Sequence, residues 1–340
     1  MNLRRLASIV LAAACLLARP AAQTSKPLDV YFIDVEGGQA TLVVAPSGQS
    51  MLIDTGYPGF GDRDVTRVLA AVRQAGLTRL DYLLVTHYHN DHAGNAGALA
   101  ARIPIGTFVD HGETVETDDG AKALYDGYAK ARATGRHLLV KPGDKVPFRD
   151  LDVTVVTAGG AHISAPLTPP AAPNALCASF TPKGPDASEN ARSVGSVIAF
   201  GRFRMIDLGD LTWNKEQELV CPNNLIGAVD VYVTTHHGLD QSGAPVLVHA
   251  LRPRVAIMNN GPKKGGSVEA IRTVRSSPGL EDFWQLHYAV DAGRDVNMPD
   301  AMIANLDESA AHWIKVSAQR DGSFTVTSSR TNETRRYAAR

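Results

Sequence analysis

The chain has 340 residues, 44% of them hydrophobic and 20% charged, with 30 Gly and 19 Pro, a balance that excludes a disordered, collagen-like or coiled-coil protein. With 34 Lys+Arg against 35 Asp+Glu the net charge is −1, which argues against a protein that holds long nucleic acid on a basic face. Length alone allows one large domain or two small ones.

Arg4 and Arg5, an apolar run from Leu6 to Leu17 and the stretch Ala18-Arg19-Pro20-Ala21-Ala22 read as a secretory signal peptide over 1–22. The expectation is export, to the periplasm or beyond, with lipid anchoring through Cys15 as the minor alternative. No later run approaches the roughly 18 apolar residues of a membrane helix. Removing 1–22 lowers Lys+Arg from 34 to 31 against 35 Asp+Glu, so the net charge moves from −1 to −4. Cys177 and Cys221 then remain, and an oxidising compartment permits them to pair; two free thiols are the alternative.

Apolar, β-branched runs at 28–34, 40–44 and 51–53, separated by Gly37-Gly38 and Pro46-Ser47-Gly48, predict an antiparallel meander. Val65, Val68, Leu69 and Val72 fall at helical spacing over 64–75, with Gly76 as the stop. A strand at 80–86, a small-residue helix at 93–101, a strand at 103–109, a helix at 121–133 and strands at 137–140 and 151–156 follow. The Pro-rich stretch 158–190 lacks periodicity and reads as a surface insertion. Strands resume at 196–200, 203–208, 229–234 and 255–258. Two strand-rich halves, each with helices, predict two sheets packed face to face under outer helices.

The chemistry concentrates in Leu83–His92, where His87, His89, Asp91 and His92 follow an apolar strand at once. His87 and His89 are two apart and point to one side, while Asp91 and His92 lie beyond the turn where a helix starts. Imidazole and carboxylate together suit Zn²⁺ or a similar cation with a position open for water. A helix cap at Asp91 and surface histidines are the bland alternative.

These residues match the signature His-x-His-x-Asp-His, and the chain resembles the metallo-β-lactamase superfamily. Three further stretches are similar to that superfamily's motifs: Met51–Gly56 around Asp54, Met205–Asp210 ending Gly209-Asp210, and Val231–Gly238 ending His236-His237-Gly238. Within it the chain is most similar to the ComEC-like metallo-hydrolase domain. The resemblance implies a four-layer αβ/βα sandwich, an α/β fold; the chain reads as a single domain over 23–330, with 331–340 as a frayed basic tail. It implies two divalent ions, Zn²⁺ or alternatively Mn²⁺, held by His87, His89, Asp91, His92, Asp210 and His237, with Asp210 as the bridge. His237 is favoured over His236 as ligand; His236 would then face substrate and, with Asp91, serve catalysis. Asp54 is expected to orient a ligand histidine without touching metal.

One departure is instructive. The superfamily commonly carries another His before the Gly-Asp strand, yet 189–194 reads Glu-Asn-Ala-Arg-Ser-Val. ComEC-like domains also tend to lack it. His111 could complete the ligand set, with His162 more remote, or be an ordinary loop residue, and Gln39 stands where ComEC-like domains usually have Asp. Lys263 and Lys264, in an Asn/Gly-rich loop, could receive a phosphate or be solvated, and His287 reads as a packed residue. The expected function is an exported dinuclear hydrolase that uses a metal-bound hydroxide on a phosphodiester or phosphoester, with nucleic acid not favoured. A lactonase or β-lactamase acting on a cyclic ester or amide, and a non-catalytic metal-binding protein, are the rivals. Oligomeric state is not legible.

Overall fold

The computed structural model describes residues 26–340; the expected signal peptide and Cys15 lie outside the described residues. Two nine-stranded sheets face each other. In the first, the order is Thr334–Tyr337, Phe324–Ser328, Ile314–Ala318, Leu28–Phe32, Thr41–Val44, Ser50–Ile53, Leu80–Leu84, Ile105–Asp110 and Arg136–Leu139. The second is built on Ile303–Asn305, Asp282–His287, Val255–Met258, Val231–Val233, Phe203–Asp207, Gly195–Phe200, Asp152–Ala158 and Lys145–Val146, with Ala161–His162 paired to Asp152–Ala158.

Period-two alternation explains the layering. In strand Leu28–Phe32, Leu28, Val30 and Phe32 enter the core between the sheets, which they share with Val153, Val155, Met205, Val231 and Trp284. Tyr31 and Ile33 face the other way, onto helices Arg63–Gln74, Ala96–Ala100 and Asp119–Arg132. The outer face of the second sheet packs Ile206, Tyr232, Ala256 and Phe283 against residues of helices Pro245–Leu251 and Val268–Arg275. The result is the αβ/βα sandwich. Helix Asp119–Arg132 starts where Asp118 accepts from Gly120 N and Ala121 N, both at 3.0 Å.

Three expectations need correction or refinement. The small-residue helix at 93–101 is two short turns, Asn90–Ala93 and Ala96–Ala100, broken between them at Gly94-Asn95. Residues 331–340 are not a frayed tail. Thr334–Tyr337 pairs with Phe324–Ser328, Tyr337 is buried, and its hydroxyl donates to Asp282 Oδ2 at 2.6 Å. The basic residues themselves add anchoring contacts, Arg335 to Asp282 Oδ1 and Arg340 to Val229 O, each at 2.6 Å. The Pro-rich insertion is tied down covalently by a Cys177–Cys221 disulfide.

Candidate metal centre

The site lies at the carboxyl ends of strands from both sheets. Strand Leu80–Leu84 delivers His87–His92; strand Phe203–Asp207 delivers Asp210; strand Val231–Val233 delivers the turn Thr235–Gly238. Asp91, His92, Asp210 and His237 offer donor atoms all within 4.8 Å of one another, and all four are buried. His237 Nε2 lies 3.2 Å from Asp91 Oδ2 and 3.3 Å from Asp210 Oδ1, and His92 Nε2 lies 3.2 Å from the Oδ2 atoms of both aspartates. A second donor group adjoins it. His87 Nε2 is 3.0 Å from His89 Nδ1 and 3.9 Å from Asp210 Oδ2. The Asp210 Oδ2 atom is thus near donors of both groups, whose His87 and His92 ring centroids are 4.1 Å apart.

Backbone geometry delivers these side chains at a cost. Gly209 has φ +55, and a Cβ there would meet Thr86 Cβ at 2.8 Å, so only glycine fits ahead of Asp210. His236 and His237 both have φ +55, conformations that cost on the order of 1–3 kcal/mol each in non-glycine residues. Hydrogen bonds hold the strained turn: His236 N donates to Gly209 O at 3.0 Å, and Gly266 N donates to His237 O at 3.0 Å.

Around the donors sits a supporting shell of hydrogen bonds. Asp54 Oδ2 meets His92 Nδ1 at 2.7 Å, and accepts from Thr86 Oγ1 at the same distance, so the Nε2 lone pair of His92 can turn to the centre. His89 Nε2 meets Glu116 Oε1 at 2.9 Å, which leaves Nδ1 facing His87. Gln39 Nε2 donates to Asp207 Oδ2 at 2.8 Å and its Oε1 accepts from Asn259 Nδ2, which makes Gln39 a buried bracket between strand ends.

The electrostatics suit a cation. Burial alone would raise the carboxyls of Asp210 and Asp91; the histidines outweigh it and hold both well below the usual carboxylate range. Burial opposes charge on His92, yet Asp210, Asp91 and Asp54 hold its imidazole well above the usual range. Burial pushes His236 down to about 4. Asp210 Oδ1 is buried without a hydrogen-bond partner, and the Nε2 atoms of His92 and His237 face each other at 3.2 Å. Such a set of acceptors aimed at one point is what a divalent ion satisfies.

The remaining expected residues divide. His236 Nε2 reaches Asp210 Oδ2 at 3.3 Å and its Nδ1 lies 3.3 Å from Ser242 Oγ. Lys264 Nζ touches Asp91 Oδ2, whereas Lys263 is exposed. His111 does not complete the ligand set: its Nε2 pairs with the buried carboxylate of Glu189 at 3.0 Å, which also accepts from Thr114 and Val115. His162 pairs with Glu218 at 3.3 Å, and His287 is buried against Asp34 at 2.6 Å. Ser193 occupies the neighbourhood of the missing histidine, its Oγ 3.5 Å from His87 Nδ1 and 3.2 Å from Asp210 N. Sequence reasoning passed over Thr86, Glu116 and Ser193. Thr86 was findable as the residue before the motif; Glu116 and Ser193 carry no local signal.

Residues 33–177 match the family described as "Metallo-beta-lactamase superfamily". The chain carries a metallo-beta-lactamase superfamily domain. The matched residues include Asp54 and His87–His92; Asp210 and His237 lie beyond them and join the site through the fold. The chain is 27% identical over 252 residues to ComE operon protein 3 of Bacillus subtilis (strain 168), covering 68% of this chain and 28% of that protein. It is 28% identical over 243 residues to a UPF0173 metal-dependent hydrolase of Anaeromyxobacter sp. (strain K), covering 69% of this chain and 77% of that protein. The match thus spans under a third of ComE operon protein 3 and most of the UPF0173 relative. The solved structure of the metallo-beta-lactamase fold protein YhfI from Bacillus subtilis aligns at 11% identity with a TM-score of 0.49, covering 76% of this chain and 96% of that one.

Proposed function

We propose that this metallo-beta-lactamase superfamily domain is a metal-dependent hydrolase of phosphodiesters or phosphoesters, working with two divalent ions. The observation that carries the two-ion reading is the reach of the Asp210 carboxylate: Oδ2 lies 3.2 Å from His92 Nε2 and 3.9 Å from His87 Nε2, and Oδ1 lies 3.3 Å from His237 Nε2. His87, His89 and Asp210 would hold one ion; Asp91, His92, His237 and Asp210 the other. Zn²⁺ suits the imidazole-rich donor set, and Mn²⁺ is the alternative. When bound, such ions supply Lewis acidity to a substrate oxygen and lower the pKa of water toward about 7.

The chain's own groups do the positioning. Asp54 and Glu116 fix the rings of His92 and His89. The Lys264 ammonium, beside Asp91 and half-buried, is placed to donate to an anionic phosphoryl oxygen. His236 projects Nε2 into the centre, where it can hydrogen-bond a bound oxygen. That cationic receptor next to the donors favours a phosphoester over a neutral lactone. Export of the mature protein is part of the proposal, and the Cys177–Cys221 disulfide supports it, since such bonds persist in oxidising compartments. Among the described residues no helix is long and apolar enough to cross a membrane.

Metal analysis joined to a substrate panel tests the reading. Metal-loaded mature protein is expected to hydrolyse bis-p-nitrophenyl phosphate faster than a set of lactones or nitrocefin. Turnover confined to nitrocefin or lactones would reject the phosphoester assignment, and no hydrolysis of any substrate after Zn²⁺ or Mn²⁺ addition would favour a non-catalytic metal-binding protein.

A further inference from the structure

The loop after strand Ser50–Ile53 exposes an aromatic side chain that stands outside the hydrophobic core. Phe60 is 68% exposed and has φ +49, between Gly59 at φ +86 and Gly61 at φ +63. A left-handed backbone costs a bulky residue roughly 1–2 kcal/mol, and an exposed ring recovers little of that by burial. Glycine would sit there without strain. An uncommon conformation at an exposed aromatic beside a buried centre is an observation that calls for a role.

Its neighbours indicate which. The Arg63 guanidinium carbon lies 4.7 Å from the Phe60 ring centroid and backs the ring; Arg63 is itself fixed by Asp64 at 2.6 Å and by Glu36. Tyr57 meets Phe60 edge to face, with centroids 6.2 Å apart. Tyr57 N donates to Asp64 Oδ2 at 2.8 Å, and Asn95 Nδ2 donates to Tyr57 O, so the base of the loop is held. Lys264 Nζ lies 5.4 Å from the Tyr57 ring centroid while touching Asp91. From the donor cluster outward the order is carboxylate, ammonium, half-buried ring, open ring.

We propose that Phe60, flanked by Tyr57, forms a stacking subsite for a flat aromatic group on the substrate, so that the enzyme prefers aryl- or nucleobase-bearing phosphoesters to alkyl ones. This rests on the phosphoester reading above and narrows it. Lys264 takes the phosphoryl oxygen, and beyond it the Phe60 face opposite Arg63 is open for stacking, while Tyr57, at 79° to Phe60, presents an edge-to-face wall. Stacking of a base on an aromatic side chain is worth about 1–3 kcal/mol, and it tolerates any planar group.

The test uses metal-loaded protein with methyl phosphate, phenyl phosphate and thymidine 5′-monophosphate as probes, their affinities measured by calorimetry. Native protein is expected to bind the two ring-bearing phosphates about tenfold more tightly than methyl phosphate. In Phe60→Gly, which suits the left-handed backbone and is expected to melt no lower than native, that ratio falls to about two; in Phe60→Trp it is kept. Equal affinities in native protein, or a ratio unmoved by Phe60→Gly, would overturn the subsite. If no phosphate binds at all while phenyl acetate is hydrolysed, the phosphoester reading falls instead. The subsite then stands or falls by whether Phe60→Gly lowers kcat/KM for phenyl acetate more than for ethyl acetate.

Discussion

On the side of strand Leu80–Leu84, four donors arrive within six consecutive residues; on the side of the second sheet, Asp210 and His237 arrive singly, each from the end of its own strand. The first group needs a strand end, a turn and the start of a helix to present its side chains. The second needs an obligatory glycine at 209, two left-handed histidines and backbone bonds from the 260–266 loop. Local geometry thus brings together the donors of one half, which Asp54 and Glu116 then orient, while long-range packing brings together those of the other. The halves should fail differently.

The largest effect is expected at the group that joins them. Asp210→Ala should abolish turnover, by about 10³-fold or more, and lower the metal content of purified protein; unchanged metal and rate would break the bridge reading. Next is the covalent tie on the second half. Cys221→Ser opens a link across a sequence separation of 44 residues, and the chain-entropy estimate for such a loop is roughly 4 kcal/mol. Denaturant unfolding should show a loss of that order, and a loss under about 1 kcal/mol would mean that the insertion is held by packing alone. In the first half, Asp54→Asn exchanges the carboxylate that steadies His92 for an amide, and metal affinity should fall about 10- to 100-fold. Competition with a chelator measures it.

The smallest effect concerns Glu216, a buried carboxyl that accepts from Gly243 N and Ala244 N and so braces the loop carrying Ser242, the partner of His236. Burial raises its pKa from 4.5 to about 7. Between these values the folded chain keeps a proton that the unfolded chain releases. The group's contribution is therefore fully present below about pH 4.5 and is lost as pH rises through about 7. The stability difference between native protein and Glu216→Gln, measured in chelator, should slope across that window; a flat difference would remove Glu216 from the account.

What was legible in the sequence follows the same division. Strand alternation and the His87–His92 cluster are local, so both sheets' early strands and the first half of the centre could be read directly. The pairing of Leu28–Phe32 with Ile314–Ala318 brings together residues nearly the whole chain apart, and no period announces it. The strands beyond Met258 are a different case, since Ile314–Ala318 and Phe324–Ser328 carry the same local alternation as the early strands, and the tail that proved to be an edge strand pairs with the second of them. Asp210 and His237 were named through resemblance and met the cluster in the fold. His111 was a plausible ligand until Glu189, 78 positions away, proved to be its partner. Glu116 and Phe60 act through neighbours that spacing does not reveal.

Anomalous diffraction from crystals of Zn²⁺-loaded protein is the most direct test of the centre. The account predicts two peaks per chain flanking the Asp210 carboxylate, one beside His87 and His89 and the other beside His92 and His237. A single peak, or peaks away from Asp210, would contradict it.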